Sequence, residues 1–162
     1  MRKFIILTTI ILVNLSFFSC EEAKDALPIG KMEATIDGVA WEAITRVAIL
    51  ESGFYSLTGT STNGDIISIV IYGTTTGTYE LDVSMSDVDA KVAGFYKPAA
   101  AASESDNYII TKATVILSEV NTGDKKISGT FELEVSKLEG TTSLDTKEIT
   151  NGSFEDVKYT ES

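Results

Sequence analysis

The chain has no histidine, one cysteine and two prolines in 162 residues. Without histidine, Ser-His-Asp and Cys-His nucleophile systems, imidazole general bases and the usual zinc ligand sets cannot be assembled. One cysteine excludes a disulfide framework within the chain. Basic residues are also scarce: 13 Lys plus Arg stand against 24 Asp plus Glu, a formal net charge of −11. Such a surface repels phosphate backbones and anionic headgroups, which argues against a nucleic-acid partner and against electrostatic adsorption to a membrane. The chemistry left open is a carboxylate pair, a Lys-activated nucleophile or an oxygen-ligand metal site. No cofactor is expected.

What is present begins at the N-terminus. Met1-Arg2-Lys3 is a positive opening, Phe4 to Val13 is aliphatic except for Thr8 and Thr9, and Leu15-Ser16-Phe17-Phe18-Ser19 leads into Cys20, the sole cysteine. This is the pattern of a secretory signal ending in a lipidation site. A membrane span needs about 20 apolar residues, and Asn14 and Ser16 break the run before that. A plain secretory signal would leave an unpaired thiol in an oxidising compartment, whereas acylation caps it. Phe17 stands where such signals usually carry Leu. The expected organisation is a signal peptide over 1–19, a tether over 20–31 with lipid on Cys20, and a single β domain over 32–162. Removing Arg2, Lys3 and no acid leaves eleven basic residues against 24 acidic ones, so the mature net charge is −13. The lipid is the expected membrane contact, since several acyl chains anchor durably where one holds only marginally.

From Met32 onward the hydrophobic period is two, with turn residues about every ten positions. Met32, Ala34 and Ile36 alternate with polar residues, Asp37-Gly38 signals a type I′ turn and Trp41 opens the return strand. Strands are predicted over Thr45–Leu50 and Phe54–Thr60, split by Ser52-Gly53. After Asn63-Gly64-Asp65, Ile66–Tyr72 reads as a central strand buried on both faces. Tyr79, Leu81 and Val83 share a face, and Val92–Tyr96 is a short strand. Lys97–Asn107 lacks alternation and reads as an exposed loop. Ile109, Thr111, Ala113, Val115 and Leu117 form a predicted inward row, followed by a turn at Asn121–Asp124. Ile127, Gly129, Phe131, Leu133 and Val135 alternate cleanly with polar residues. A polar loop is predicted around Gly140–Lys147, then a last strand over Ile149–Tyr159 with Gly152 as a bend. The fold class is all-β: an antiparallel meander of about nine or ten strands forming a barrel or a two-sheet sandwich.

Taken in order, the lipidated Cys, Met32-Glu33-Ala34-Thr35-Ile36-Asp37-Gly38 with Trp41, Gly77-Thr78-Tyr79, Ile127-Ser128-Gly129-Thr130-Phe131 and Ile149-Thr150-Asn151-Gly152-Ser153-Phe154 form a pattern. The chain resembles a family of small, functionally uncharacterised lipoproteins of Bacteroidota, written ATVNGxxW, GTY, SGTF and ITNGxF. Here Ile36-Asp37-Gly38 replaces the usual Val-Asn-Gly. The resemblance implies an outer-membrane lipoprotein with no activity to import. In that phylum acidic residues after the cysteine accompany export to the cell surface, so Glu21-Glu22 implies surface display, with a periplasm-facing anchor as the alternative.

Few residues suggest chemistry. Asp82, Asp87 and Asp89 could supply oxygen ligands, but their spacing does not match a calcium loop, and no metal is expected. Glu132 and Glu134 lie about 7 Å apart on one strand face, near the separation used in glycoside hydrolysis, yet an exposed face cannot raise one pKa as that chemistry requires. Trp41, Tyr55, Tyr72, Tyr79, Tyr96, Tyr108 and Tyr159 could stack on sugars or peptides, although alternating strand positions favour packing. Tyr96 and Tyr108 bracket the exposed loop and are the candidate binding pair. The reading is a non-enzymatic, surface-anchored binding or envelope-associated module whose extracellular or periplasmic ligand is unknown. A carrier of small hydrophobic ligands with a barrel cavity and a carboxylate-based hydrolase are the alternatives.

Overall fold

The computed structural model describes residues 30–84, 89–139 and 142–162. The signal peptide, Cys20, most of the tether and Asp87 lie outside the described residues. Nine strands account for 73% of those described, and no α-helix occurs among them. They are β1 (Lys31–Ile36), β2 (Val39–Glu51), β3 (Phe54–Ser61), β4 (Ile66–Ile71), β5 (Gly77–Asp82), β6 (Val92–Lys97), β7 (Tyr108–Asn121), β8 (Lys126–Glu139) and β9 (Thr142–Glu161). They form one sheet in the order β5-β7-β6-β4-β3-β2-β1-β9-β8, and further β7–β8 and β2–β9 pairings join its ends into a ring.

Long strands make that closure possible. One edge of β7 serves both β6 and β5 while its other edge pairs with β8. Likewise β9 pairs with β8 on one side and with β1 and then β2 on the other; the β2 contact, Ala48–Leu50 against Tyr159–Glu161, is parallel. The tight turns behave as their residues dictate. Asp37 and Gly38 have φ of 48° and 84°, and Ser52 and Gly53 have 48° and 87°. Two successive positive φ values define the I′ geometry that suits twisted hairpins.

Inward side chains fill the ring with one core. Met32, Leu57, Ile67, Ile69, Ile71, Val92, Val115, Ile127, Val135, Ile149 and Phe154 are wholly buried. Large rings are accommodated where glycine faces them: a Cβ on Gly152 would lie 2.4 Å from the Phe131 ring, and one on Gly59 would lie 2.8 Å from Cη2 of Trp41. Gly152, read as a bend, thus makes room for an aromatic neighbour.

Several sequence expectations are corrected by irregular register. A bulge between Ile110 and Lys112 shifts the phase of β7, so Tyr108 and Ile110 point inward while Ile109 is 46% exposed. The predicted strand from Thr45 merges with Trp41 into one β2, whose bulge between Ala43 and Thr45 had hidden the continuity. In β4 only Ile67, Ile69 and Ile71, with Ser68, are buried; Ile66 and Val70 are half-buried and Tyr72 is largely exposed, because the outer face of a single-layered ring meets solvent. The polar loop expected around Gly140–Lys147 is mostly strand, with Lys137 opposite Asp145 and Leu138 opposite Ser143. Hydroxyl and charged side chains there sit at positions with no core face to mark them. The Lys97–Asn107 segment is a connection, but it contains a 3-10 turn, Glu104–Asp106, held where the Asp106 carboxylate accepts the Ala102 and Ser103 N–H groups.

Candidate functional site

At one end of the ring the β1–β2 turn, the β3–β4 turn, the connection after β6 and the β8–β9 hairpin come together. Pairing of Tyr96 with Tyr108 across β6 and β7 places the two rings 5.9 Å apart at 45°. The structure therefore brings the candidate pair together, although each is more than nine-tenths buried. Their rings are wall rather than platform, and their hydroxyls reach opposite rims. Tyr96 donates to Oδ1 of Asp65 at 3.2 Å, and Tyr108 donates to Oδ2 of Asp145 at 2.5 Å.

Asp65 organises its rim. The same Oδ1 accepts the Ala99 N–H at 2.9 Å, tying the post-β6 connection to the β3–β4 turn, and the Asp65 N–H donates to Ser61 Oγ at 3.1 Å. Burial, then the charge and hydrogen bond of Asp65, push the Tyr96 hydroxyl far above the ordinary phenol range. Tyr108 is also raised, first by its bond to Asp145 and then by burial.

On the other rim Lys147 donates to Oδ2 of Asp37 at 2.9 Å, while the Glu148 N–H donates to Oδ1 at 2.9 Å. These bonds hold the Asp37 carboxyl below its ordinary value, and the bond to Asp37 raises Lys147. Lys147 Nζ also sits 5.5 Å from the centre of the Tyr108 ring, a cation–π distance. Behind it Lys137 pairs with Asp106 at 2.8 Å, fixing the 3-10 turn against the hairpin.

Between the rims lies a cleft of about 420 Å³ lined by Trp41, Glu42, Asp65, Tyr96, Asp37 and Lys147, among others. That volume is in the range of small-molecule sites. Trp41 is 5% exposed, and its buried Nε1–H has no hydrogen-bond partner among the described residues. A buried N–H without an acceptor costs roughly 1–3 kcal/mol. Asp37 and Asp65 are both engaged by protein donors.

From the sequence Asp37 and Asp65 read only as turn residues, Lys147 as part of a loop, and Trp41 as one of seven aromatics that could stack on a ligand but are favoured as packing. Their convergence depends on strands distant in sequence. The one available signal was Asp rather than Asn at the first turn, since Asp brings a charge that calls for a cation.

The other sequence candidates lie elsewhere. Asp82 accepts from the Ser84 hydroxyl at 2.6 Å and its N–H at 3.0 Å, which lowers its pKa, and Asp89 pairs with Lys91 at 2.8 Å. Among the described residues no group of three or more His, Cys, Asp or Glu side chains could hold a metal. Glu132 and Glu134 are exposed on the outer face of β8. Of the remaining aromatics, Tyr55 and Tyr159 pack edge to face in the core at 5.2 Å, and Tyr79 is buried with its hydroxyl on the Thr75 carbonyl at 2.7 Å. Tyr72 is 47% exposed and leans on Phe54 at 5.9 Å.

A family model described as a domain of unknown function (DUF6252) matches residues 30–158. Comparison with curated proteins and with solved structures gives no match.

Proposed function

The chain belongs to the DUF6252 family, and from that premise we propose that it is a non-enzymatic, surface-anchored lipoprotein that binds an extracellular ligand in the cleft beside Tyr96. Lipid on Cys20 ties it to the outer membrane, and Glu21-Glu22 marks it for the Bacteroidota type of surface export. The observation that carries the binding role is the cleft's division of labour. Its acids Asp37 and Asp65 are locked by Lys147, Tyr96 and backbone donors, which shapes a rigid site. Trp41 lines the cleft, and its buried indole N–H, without a partner among the described residues, is a donor that a ligand acceptor reaching it would satisfy. Preorganised rims with an unspent donor suit recognition.

A core filled by Met32, Leu57, Phe131 and Phe154 supports this reading over a hydrophobic carrier, which needs an empty interior. The exposed positions of Glu132 and Glu134 on the outer face support it over a carboxylate hydrolase.

Two measurements test the proposal. Protease shaving of intact cells expressing wild type and Cys20→Ala, with a fatty-acid label, should digest labelled wild type without lysis and remove the label from the variant. Labelled but protected protein would place it facing the periplasm. Trp41 is the only tryptophan in the chain, so its fluorescence reports the cleft. Titration with panels of glycans and peptides should shift that emission for a binder, and Tyr96→Phe with Lys147→Ala should weaken the response. If emission stays constant while a ligand binds elsewhere, the cleft is not the site.

A further inference from the structure

The outer face of β2, β3, β4 and β6 differs from the rest of this acidic surface. Strand pairing aligns Val47, Thr58, Ser68, Phe95 and Ile109 in one row across it. The next row is Ile49, Ser56, Val70 and Ala93. Neither row contains a charge, and Val47 and Ile109 are 50% and 46% exposed. The hydroxyls of Thr58 and Ser68 satisfy each other at 2.9 Å, so the face makes little demand on water. Other outer faces are charged: Glu33 on β1, Glu80 on β5, Lys112 on β7, and Glu132 and Glu134 on β8.

Charges appear only around the patch, and they are arranged with opposite signs. Glu51 ends β2 on one side, opposite Phe54. Lys91, whose ammonium also pairs with Asp89 at 2.8 Å, lies at the same level on the far side, where its carbonyl accepts the Tyr72 N–H. Lys97 closes the other end of that side, level with Ile66.

We propose that this uncharged face is the interface through which two copies of the chain form a two-fold dimer, with the axis parallel to the strands. Such an axis exchanges the β2 side for the β6 side without changing level. It lays the two neutral patches on each other and sets Glu51 of each copy beside Lys91 of the other. An in-plane axis across the strands would instead oppose Lys91 to Lys97. For a chain of net charge −11, long-range repulsion opposes self-association, and contact is least costly where the surface carries no charge. A patch four strands wide, at about 4.8 Å per strand, and six residues or about 20 Å long from the level of Lys97 to that of Glu51 covers roughly 400 Å² per copy. The total of about 800 Å² has the size of a weak, transient interface, so association on the order of tens of micromolar is expected.

Light scattering of the full chain, purified in detergent and corrected for bound detergent, tests this. Wild type should approach twice the protomer mass as concentration rises to about 100 μM. Val47→Lys, at an exposed site, should weaken the dimer about tenfold or more while leaving circular dichroism unchanged, because its ammonium would be desolvated without a partner against Phe95 of the other copy. Glu51→Lys and Lys91→Glu should each weaken it, and the double variant should recover. A wild-type monomer across the range overturns the proposal. So does a dimer indifferent to Val47→Lys, or a double variant no stronger than the single ones.

Discussion

Gly59→Ala tests how the fold builds the cleft wall. Gly59 faces the core in β3, and its missing side chain leaves room for two neighbours. An added Cβ would lie 2.7 Å from Met32 Sδ, 2.8 Å from Trp41 Cη2 and 3.0 Å from Ala43 Cβ. Its backbone is not in the left-handed region, so the alanine itself fits the strand and the cost is steric alone. The Met32 thioether can rotate away, but the indole is rigid and Ala43 is fixed to the backbone. Overpacking of this kind costs about 1–3 kcal/mol. With an unfolding entropy near 2.1 cal/mol/K per residue over roughly 130 residues, each kcal/mol moves Tm by about 4 °C, so a drop of about 4–11 °C is expected. Trp41 must also move, and its emission should change in the folded baseline. Thermal and urea unfolding followed by tryptophan fluorescence measure both. Gly123→Ala is the control: its Cβ would meet only Asn121 Oδ1, at 3.5 Å, and should be close to neutral. A Gly59→Ala protein with wild-type Tm and emission would refute the placement of Trp41 against β3, and with it the wall of the proposed site.

Phe154→Ala, at a wholly buried ring stacked on Phe131 at 6.4 Å, should cost about 3–5 kcal/mol by urea denaturation. The Asp37 carboxyl is lowered in the folded chain, so its contribution is present above the unfolded carboxylate pKa and fades as pH falls through the folded value. NMR titration should show that pKa rising in Lys147→Met, with a stability loss at neutral pH below about 1 kcal/mol for so exposed a pair. Burial first, and then the Tyr159 hydroxyl, push Tyr55 up to about 12, and Tyr96 is raised further. Both phenols stay neutral in the folded chain at pH 11, so ultraviolet titration should count fewer tyrosinates than in urea. Because the folded values are raised, their stabilising contribution is complete below the unfolded phenol pKa and is lost as pH climbs toward the folded one.

Alternation and turn chemistry are local, and they carried the all-β class a long way. Asp37-Gly38 and Ser52-Gly53 made their turns because positive φ at consecutive residues is affordable there, and Ile127–Val135 kept one face in the core because its pleat runs unbroken. The same reasoning failed at Ile109, where a bulge reversed inside and outside within one strand. It failed again at Thr142–Lys147, where strand formation rests on cross-strand partners rather than on a buried face. Bulges depend on what the opposite strand does, so a one-strand pattern cannot locate them.

The absence of histidine, the lone Cys20 and the acidic balance are properties of composition, and they limit the available chemistry whatever the fold. The period of two and the turn residues are local properties that bias each segment without reference to the others. Ring closure is of a different kind, because β1–β9 and β2–β9 contacts join segments from opposite ends of the domain, whose attraction appears only once the sheet has curled. The cleft follows from that closure. Asp37 and Lys147 are separated by 110 positions, and Tyr96 and Asp65 by 31. Apart from Asp in place of Asn at position 37, nothing in either neighbourhood distinguishes these residues from ordinary surface or turn residues. Only the pairing register places a carboxylate within reach of its cation and sets Trp41 in the cleft wall between the rims.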